Sequence, residues 1–304
     1  MAAAADAAAV PHTEARRSQH LLLCASLGAD FRACNQLLYF SDTYCFDATA
    51  RVLAALPSDD AAAASAPGHA TLLLDRTIFY PAGGGQPADG GEIRAPLPSG
   101  GEAVFRVSDV RLKDGVVRHT GVVEGPPGSD AAFAPGADVA LRVDGARREL
   151  HARVHSAGHL LDVCMSRCGY PPSALVPTKG LHGADVAYVE YAGKVPPDDC
   201  AALQGRLNEA LAAAVAAGGR TAAAVLPYDA AAAACHVTAL PPYIAADAQP
   251  RVVTMLPGEP GCPCGGTHVD DVARIGRVTV PEVRVKKGVT RISYRLEGML
   301  ENAK

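Results

Sequence analysis

The feature that most restricts the fold is a change of rhythm at Asp144-Gly145. From Leu37 to Val143 the apolar stretches are short: Leu37-Leu38-Tyr39-Phe40, Thr71-Leu72-Leu73-Leu74, Val104-Phe105-Arg106-Val107, Val116-Val117 and Val139-Ala140-Leu141-Arg142-Val143. Clusters of Gly, Pro, Asp and Ser separate them. That punctuation predicts an antiparallel barrel or sandwich, because parallel βαβ units need a helical crossover between strands. After Asp144-Gly145 the pattern turns helical. Ala146 to Cys168 holds no proline and a single glycine, Gly158, until Gly169 and Pro171-Pro172 stop it.

Downstream, Val186 to Tyr191 reads as a strand. A second helix runs from about Asp199, with Asp198 as its N-cap, to Gly218-Gly219. The tail from Val278 to Leu296 returns to strand alternation. The expectation is an α+β protein: an N-terminal antiparallel β-barrel over 37–145, then an α/β unit over 146–304 with helices on an antiparallel sheet. Residues 1–36 open with an alanine run and read as an extension or a targeting segment. Asp6, Glu14 and Asp30 argue against an acid-poor organellar signal. A cytoplasmic location is therefore expected, with an organelle as the alternative. The alanine-rich segment near 61–66 reads as a loop insertion.

Nearly half of the 304 residues are hydrophobic (49%) and 20% are charged, enough to build a core and too apolar for global disorder. Nine cysteines without a secretory signal suggest free or metal-bound thiols in a reducing compartment. The most hydrophobic window, Glu209 to Pro227, is mostly alanine and contains Arg220, so no membrane span is expected. The net charge of −4 excludes a protein coated in basic residues. It conceals an uneven distribution: −6 over residues 1–145, +2 over 146–304, and +6 within 274–295. There Arg284 and Lys286 alternate with Val283 and Val285, and Arg291 and Arg295 with Ile292 and Tyr294, around a turn at Gly288. A solvated face has the same pattern, but like charges packed together repel unless an anion such as phosphate joins them. Lys286, Lys287 and Arg291 are the candidate nucleic-acid contacts.

Three clusters can carry chemistry. His151, His155 and His159 follow one another at four-residue spacing on the predicted helix. Neighbours in that series lie about 6 Å apart along the axis and can share a metal, whereas the outer two are about 12 Å apart and cannot easily do so. The pair is thus 151/155 or 155/159. Alone, such a pair is also what surface or capping histidines look like. The second cluster is Cys262-Pro263-Cys264-Gly265-Gly266-Thr267-His268, with thiol and imidazole in a glycine-rich turn and either cysteine available. Two helical histidines with one cysteine and one histidine of this turn make an N/S donor set suited to tetrahedral zinc. The 105 positions between His159 and Cys264 lie far outside zinc-finger spacing, so the site would join remote elements. The third cluster, Thr77 to Pro87 with Gly83-Gly84-Gly85, allows close backbone approach but matches neither nucleotide-binding glycine motif.

Leu74-Asp75-Arg76-Thr77-Ile78-Phe79-Tyr80-Pro81 with Gly83-Gly84-Gly85-Gln86-Pro87-Ala88-Asp89, then His155-Ser156-Ala157-Gly158-His159-Leu160-Leu161-Asp162, then Cys264-Gly265-Gly266-Thr267-His268-Val269, resemble the editing domain of alanyl-tRNA synthetase. They resemble its freestanding relatives, the AlaX-type trans-editing proteins, more closely. The likeness runs from about Leu37 to Arg295. It implies a barrel followed by the editing domain shared with threonyl-tRNA synthetase. It further implies zinc-dependent, ATP-independent hydrolysis of serine, with glycine as an alternative, from alanine tRNA. By motif position, His155, His159, Cys264 and His268 become ligands of one Zn2+ per chain, and Thr77 and Gln86 fall near the amino-acid pocket as catalytic candidates. The partner is the acceptor end of mischarged tRNA(Ala), with no membrane, and the protein is expected as a monomer or weak homodimer. The length leaves no room for an aminoacylation core, so an editing module without a synthetase is expected. Ser156 and Gly158 replace the threonine and the bulkier residue common in the family, a change that bears on amino-acid preference more than on the metal. Editing of Ser-tRNA(Thr) and a non-catalytic zinc-containing tRNA-binding module are the alternatives. An H-E-x-x-H metallohydrolase is disfavoured because no Glu stands between the histidines.

Overall fold

The structure, a computed structural model, describes residues 36–58 and 67–299. The expectations for residues 1–35 and for the alanine-rich stretch at 59–66 lie outside these.

Six strands close the barrel: β1 (Asp47–Pro57), β2 (His69–Leu74), β3 (Gly91–Pro96), β4 (Glu102–Lys113), β5 (Val116–Glu124) and β6 (Asp138–Val143). Their order round the barrel is β1-β2-β5-β4-β3-β6, every pair antiparallel. Alternation places one face inside, as in β6, where Val139, Leu141 and Val143 are buried and Asp138, Ala140 and Arg142 are not. The interior is filled by Val52, Leu72, Leu74, Ile93, Phe105 and their neighbours.

The first expected strand is not one. Only Gln36–Leu37 is extended, pairing in parallel with Arg76–Thr77, and Leu38–Phe40 is a 3₁₀ turn. The turn buries Tyr39 edge-on against Phe40 and Tyr80, at 5.2 and 5.5 Å between ring centroids, a contact that continued alternation would lose.

Helix α1 (Gly145–Arg167) begins where the sequence changes rhythm, the Asp144 carboxylate accepting from the Arg147 N–H at 3.0 Å. Its first turn is locked to the barrel side by a fully buried ion pair. Arg148 Nε donates to Asp89 Oδ2 at 2.9 Å and Oδ1 at 3.1 Å, Nη1 donates to Thr43 O at 3.0 Å, and Nη2 reaches Ile78 O. Beyond it, α1 packs on a four-stranded antiparallel sheet formed by β7 (Val176–His182), β8 (Ala187–Ala192), β12 (Val278–Lys286) and β13 (Val289–Leu296), in the order β12-β13-β8-β7. Helix α2 (Cys200–Ala217) lies beside α1 and β12, burying Leu203, Leu207, Leu211 and Ala214 along one stripe. Each such leucine contributes about 1.5–3 kcal/mol by leaving water.

Asp198 does not cap α2. Asp199 occupies the cap position, but its carboxylate is taken by the Tyr170 hydroxyl and Arg206, and no side-chain cap bond forms. A second, three-stranded sheet of β9 (Ala222–Val225), β10 (Arg251–Thr254) and β11 (Cys262–Pro263), with the short helix α3 (Tyr228–Ala234) against β10, presents the cysteine turn. The β12–β13 hairpin turns at Lys287 and Gly288, φ 50° and 84°, the pair of positive values that a two-residue hairpin loop demands. Among the described residues no helix is long and apolar enough to cross a membrane, and the cysteines are free thiols.

Candidate metal centre

α1 carries His155 and His159 one turn apart towards the turn that follows β11. Nε2 of His155 lies 3.5 Å and Nε2 of His268 3.7 Å from Cys264 Sγ, and ligand atoms of these residues and His159 all fall within 4.8 Å of one another. Tetrahedral zinc with Zn–S of about 2.3 Å and Zn–N of about 2.0 Å sets S···N at about 3.6 Å. Three nitrogens and one sulfur at this spacing fit that ion. His159 Nε2 is buried with no hydrogen-bond partner among the described residues, a cost that a metal would remove. Burial pushes the His159 imidazole down to about 4, and it drives His155 and His268 well below the usual histidine range. The rings are therefore neutral near pH 7, as ligands must be. Burial raises the Cys264 thiol, while the Gly266 N–H at 3.4 Å and Arg251 draw it back towards the thiolate.

The cluster uses the 155/159 pair. His151, buried one turn earlier, is outside it, and the Cys262 thiol instead contacts its neighbour Pro263 O at 3.8 Å.

Gln86 joins the barrel's glycine loop to the centre. Its Oε1 accepts from the Thr267 N–H at 3.1 Å, and its Nε2 donates to Thr267 Oγ1 at 2.9 Å. A backbone N–H can only donate, so the amide orientation is fixed. The same Oε1 lies 2.8 Å from His155 Nδ1, which must then carry the proton and leave the Nε2 lone pair aimed at Cys264 and His268. Gln86 thus contacts the ligand set. Thr77 does not: its hydroxyl is turned into the barrel, 2.8 Å from His119 Nε2, and it accepts from the Phe79 N–H.

Three residues around the centre, Arg251, Thr43 and His182, are not singled out by the sequence, and Ser156 stands out there only for amino-acid preference. Arg251, 8% exposed, donates to Cys264 O at 2.9 Å, Gly266 O at 3.0 Å and Phe40 O at 3.2 Å, clamping the turn. Ser156 Oγ accepts from Val269 N at 3.0 Å, and Thr43 Oγ1 from His268 N at 3.3 Å. His182, at the end of β7, stacks on the His155 ring at 4.4 Å between centroids. The glycines flanking it, Gly180 and Gly183, were the one available hint. A cavity of about 540 Å³ opens beside His268, lined among others by Phe40, Thr43, Thr221 and Arg251.

On the four-stranded sheet, Lys286, Lys287, Arg284 and Arg291 surround a cavity of about 300 Å³ together with Glu190. Arg291 is not free there. It pairs with Glu190 at 2.6 and 2.9 Å and lies 4.1 Å over the Tyr188 ring.

The model of the family "tRNA synthetases class II (A)" matches residues 5–147. The chain is 28% identical over 284 residues to the alanine–tRNA ligase of Caldivirga maquilingensis, covering 88% of this chain and 28% of that protein. It is 30% identical over 243 residues to that of Bifidobacterium longum (76% and 24%), and 41% identical over 119 residues to that of Methanothrix thermoacetophila (38% and 12%). The chain thus spans about a quarter of the length of the relatives that it matches along most of its own. With its barrel, its convergent His/Cys cluster and this similarity, the chain is an alanyl-tRNA-synthetase-related protein like that enzyme's editing domain.

Proposed function

We propose that the chain is a trans-acting aminoacyl-tRNA deacylase of the AlaX type, removing serine, and glycine as a second substrate, from tRNA(Ala). The observation that carries this reading is the convergence of His155, His159, Cys264 and His268, two of them buried and two half-buried, in a chain related to alanine–tRNA ligases. These four would hold one Zn2+, which when bound supplies positive charge to the reacting carbonyl or to water. An aminoacyl ester is already activated, so a placed water and charge stabilisation suffice without a covalent nucleophile. Gln86 keeps His155 in the ligating tautomer, and Arg251 holds the turn bearing Cys264 and His268. The cavity beside His268 has the size to admit a terminal aminoacyl-adenosine. In this division of labour 37–145 supplies the supporting loop and 146–304 the editing site, while Lys286 and Lys287, with Arg284, contact backbone phosphate. We place the activity in the cytoplasm.

The test is deacylation of Ser-, Gly- and Ala-charged tRNA(Ala) and Ser-charged tRNA(Thr), with and without chelator, beside metal analysis. The expected result is one zinc per chain, turnover of Ser-tRNA(Ala), an intact Ala ester, and loss of turnover with chelator. An intact Ser-tRNA(Ala) at full zinc occupancy rejects the proposal, and preferential cleavage of Ser-tRNA(Thr) reassigns the tRNA.

A further inference from the structure

His182 belongs to no ligand set, yet it is built into the centre. It is 5% exposed, its ring stacks on His155, and it stands 6.5 Å from the His159 ring. Its protonation is readable from its neighbours. The Tyr294 hydroxyl lies 3.0 Å from Val154 O, which can only accept, so the single tyrosine proton goes there. His182 Nδ1, 2.5 Å from the same hydroxyl oxygen, is then the donor. Nε2 is left as a bare lone pair that no hydrogen bond from the described residues reaches.

Glycines lie against the edge of this ring. A Cβ on Gly158 would lie 2.5 Å from His182 Cε1 and 2.9 Å from the Tyr294 hydroxyl, and one on Gly180 would lie 2.5 Å from Nε2 itself. Gly158 stands immediately before His159 on α1. The small residue there makes room for the imidazole.

We infer that His182 is the specificity-determining residue of the amino-acid pocket, its Nε2 accepting a hydrogen bond from the side-chain hydroxyl of a seryl ester. The inference rests on the deacylase reading above. A buried acceptor of this kind favours a substrate that donates to it and penalises alanine, whose methyl group would leave it unpaired. Tyr294 is a positioning residue that fixes the tautomer.

Binding of amide-linked, non-hydrolysable 3′-aminoacyl-adenosine analogues to the zinc-loaded full chain tests this, with seryl, glycyl and alanyl forms titrated calorimetrically. The wild type should bind the seryl form more tightly than the alanyl form. His182→Phe keeps a ring against His155 and should lower the seryl-over-alanyl preference about 10–100-fold with zinc content unchanged. Gly158→Ala, which displaces the ring without deleting it, should lower the preference in the same direction, and Tyr294→Phe should do so less. An unchanged preference in His182→Phe, an equal loss for all three analogues, or a wild type that does not discriminate overturns the assignment. Intact discrimination without hydrolysis of Ser-tRNA(Ala) would instead overturn the deacylase reading alone.

Discussion

In the barrel, His119 is wholly buried with both ring nitrogens engaged: Nδ1 donates to Leu72 O at 3.1 Å, and Nε2 accepts from the Thr77 hydroxyl at 2.8 Å. Across the molecule, His155 and His268 are buried and His159 is half-buried, yet they face one another and a thiol, and His159 Nε2 has no hydrogen-bond partner among the described residues. The first arrangement is complete as folded protein. The second leaves lone pairs that one metal ion could accept together. The contrast separates a structural histidine from a metal-site candidate by asking whether unpaired nitrogens of several side chains converge, a question that neither burial nor one unpaired nitrogen, as at His151, answers alone.

The largest effect that would break the comparison is on the metal. Cys264→Ala and His155→Ala should each reduce zinc from one per chain to a small fraction and abolish deacylation while tRNA binding persists. His119→Leu should leave zinc content unchanged by elemental analysis. Loss of zinc in the latter would dissolve the distinction.

At the seam between the two regions, Asp89→Asn should cost about 3–5 kcal/mol in denaturant unfolding, because the guanidinium of Arg148 would remain buried against a neutral amide. A cost under about 1 kcal/mol would mean that Arg148's carbonyl partners suffice.

His119 also has a pH signature. Burial lowers it to about 4 from an ordinary 6.5, so the unfolded chain binds its proton more readily. Its contribution is complete above pH 6.5 and is lost as the pH falls towards 4, a loss of about 3 kcal/mol. His119→Leu should flatten that segment of the stability–pH curve. The check is urea unfolding at a series of pH values, and an unchanged slope would show that other groups set it.

Much of this was legible beforehand, and the omissions have physical causes. The barrel followed from apolar pairs broken by turn residues, and α1 from an uninterrupted stretch between Asp144 and Gly169. β7 was invisible because Pro177, Lys179 and Gly180 break any alternation in Val176–His182, and His182 was missed with it. Leu37–Phe40 has the composition of a strand, but Tyr39 gains more from its aromatic neighbours. The spacing alone left 155/159 or 151/155 open; the motif resemblance pointed to 155/159, and the position of the turn after β11 brings that pair to Cys264 and His268. Arg251 reads as one more charge at the start of a strand until its three carbonyl partners are seen.

A subtler effect concerns Gln86. Gln86→Leu removes the acceptor that holds the Nδ1 proton of His155 and should weaken zinc affinity about 10–100-fold, read by competition with a chromogenic chelator. Unaltered affinity would mean that packing alone orients the ring.

The smallest effect is on the sheet surface. Register places Arg284, Arg291, Glu190 and Lys179 in one row across four strands, so Glu190 offsets part of the repulsion and occupies Arg291. Lys286→Gln and Lys287→Gln should each weaken tRNA binding modestly and reduce the slope of log affinity against log salt by about 1, with Arg291→Gln smaller. Equal effects at all three positions would show that Glu190 releases Arg291 when RNA binds.

The path of Gln86 from a barrel loop to a helical histidine bears on how this protein can be taken apart. All four residues of the His/Cys cluster lie in the second half of the chain, so by inventory that half alone holds the whole candidate site. By connectivity it does not, since the atom that decides which nitrogen of His155 is free belongs to the loop between β2 and β3. A fragment beginning at Asp144 would keep every ligand and lose the instruction that points one of them. Modularity here is a property of the cores, and the site is shared across their border.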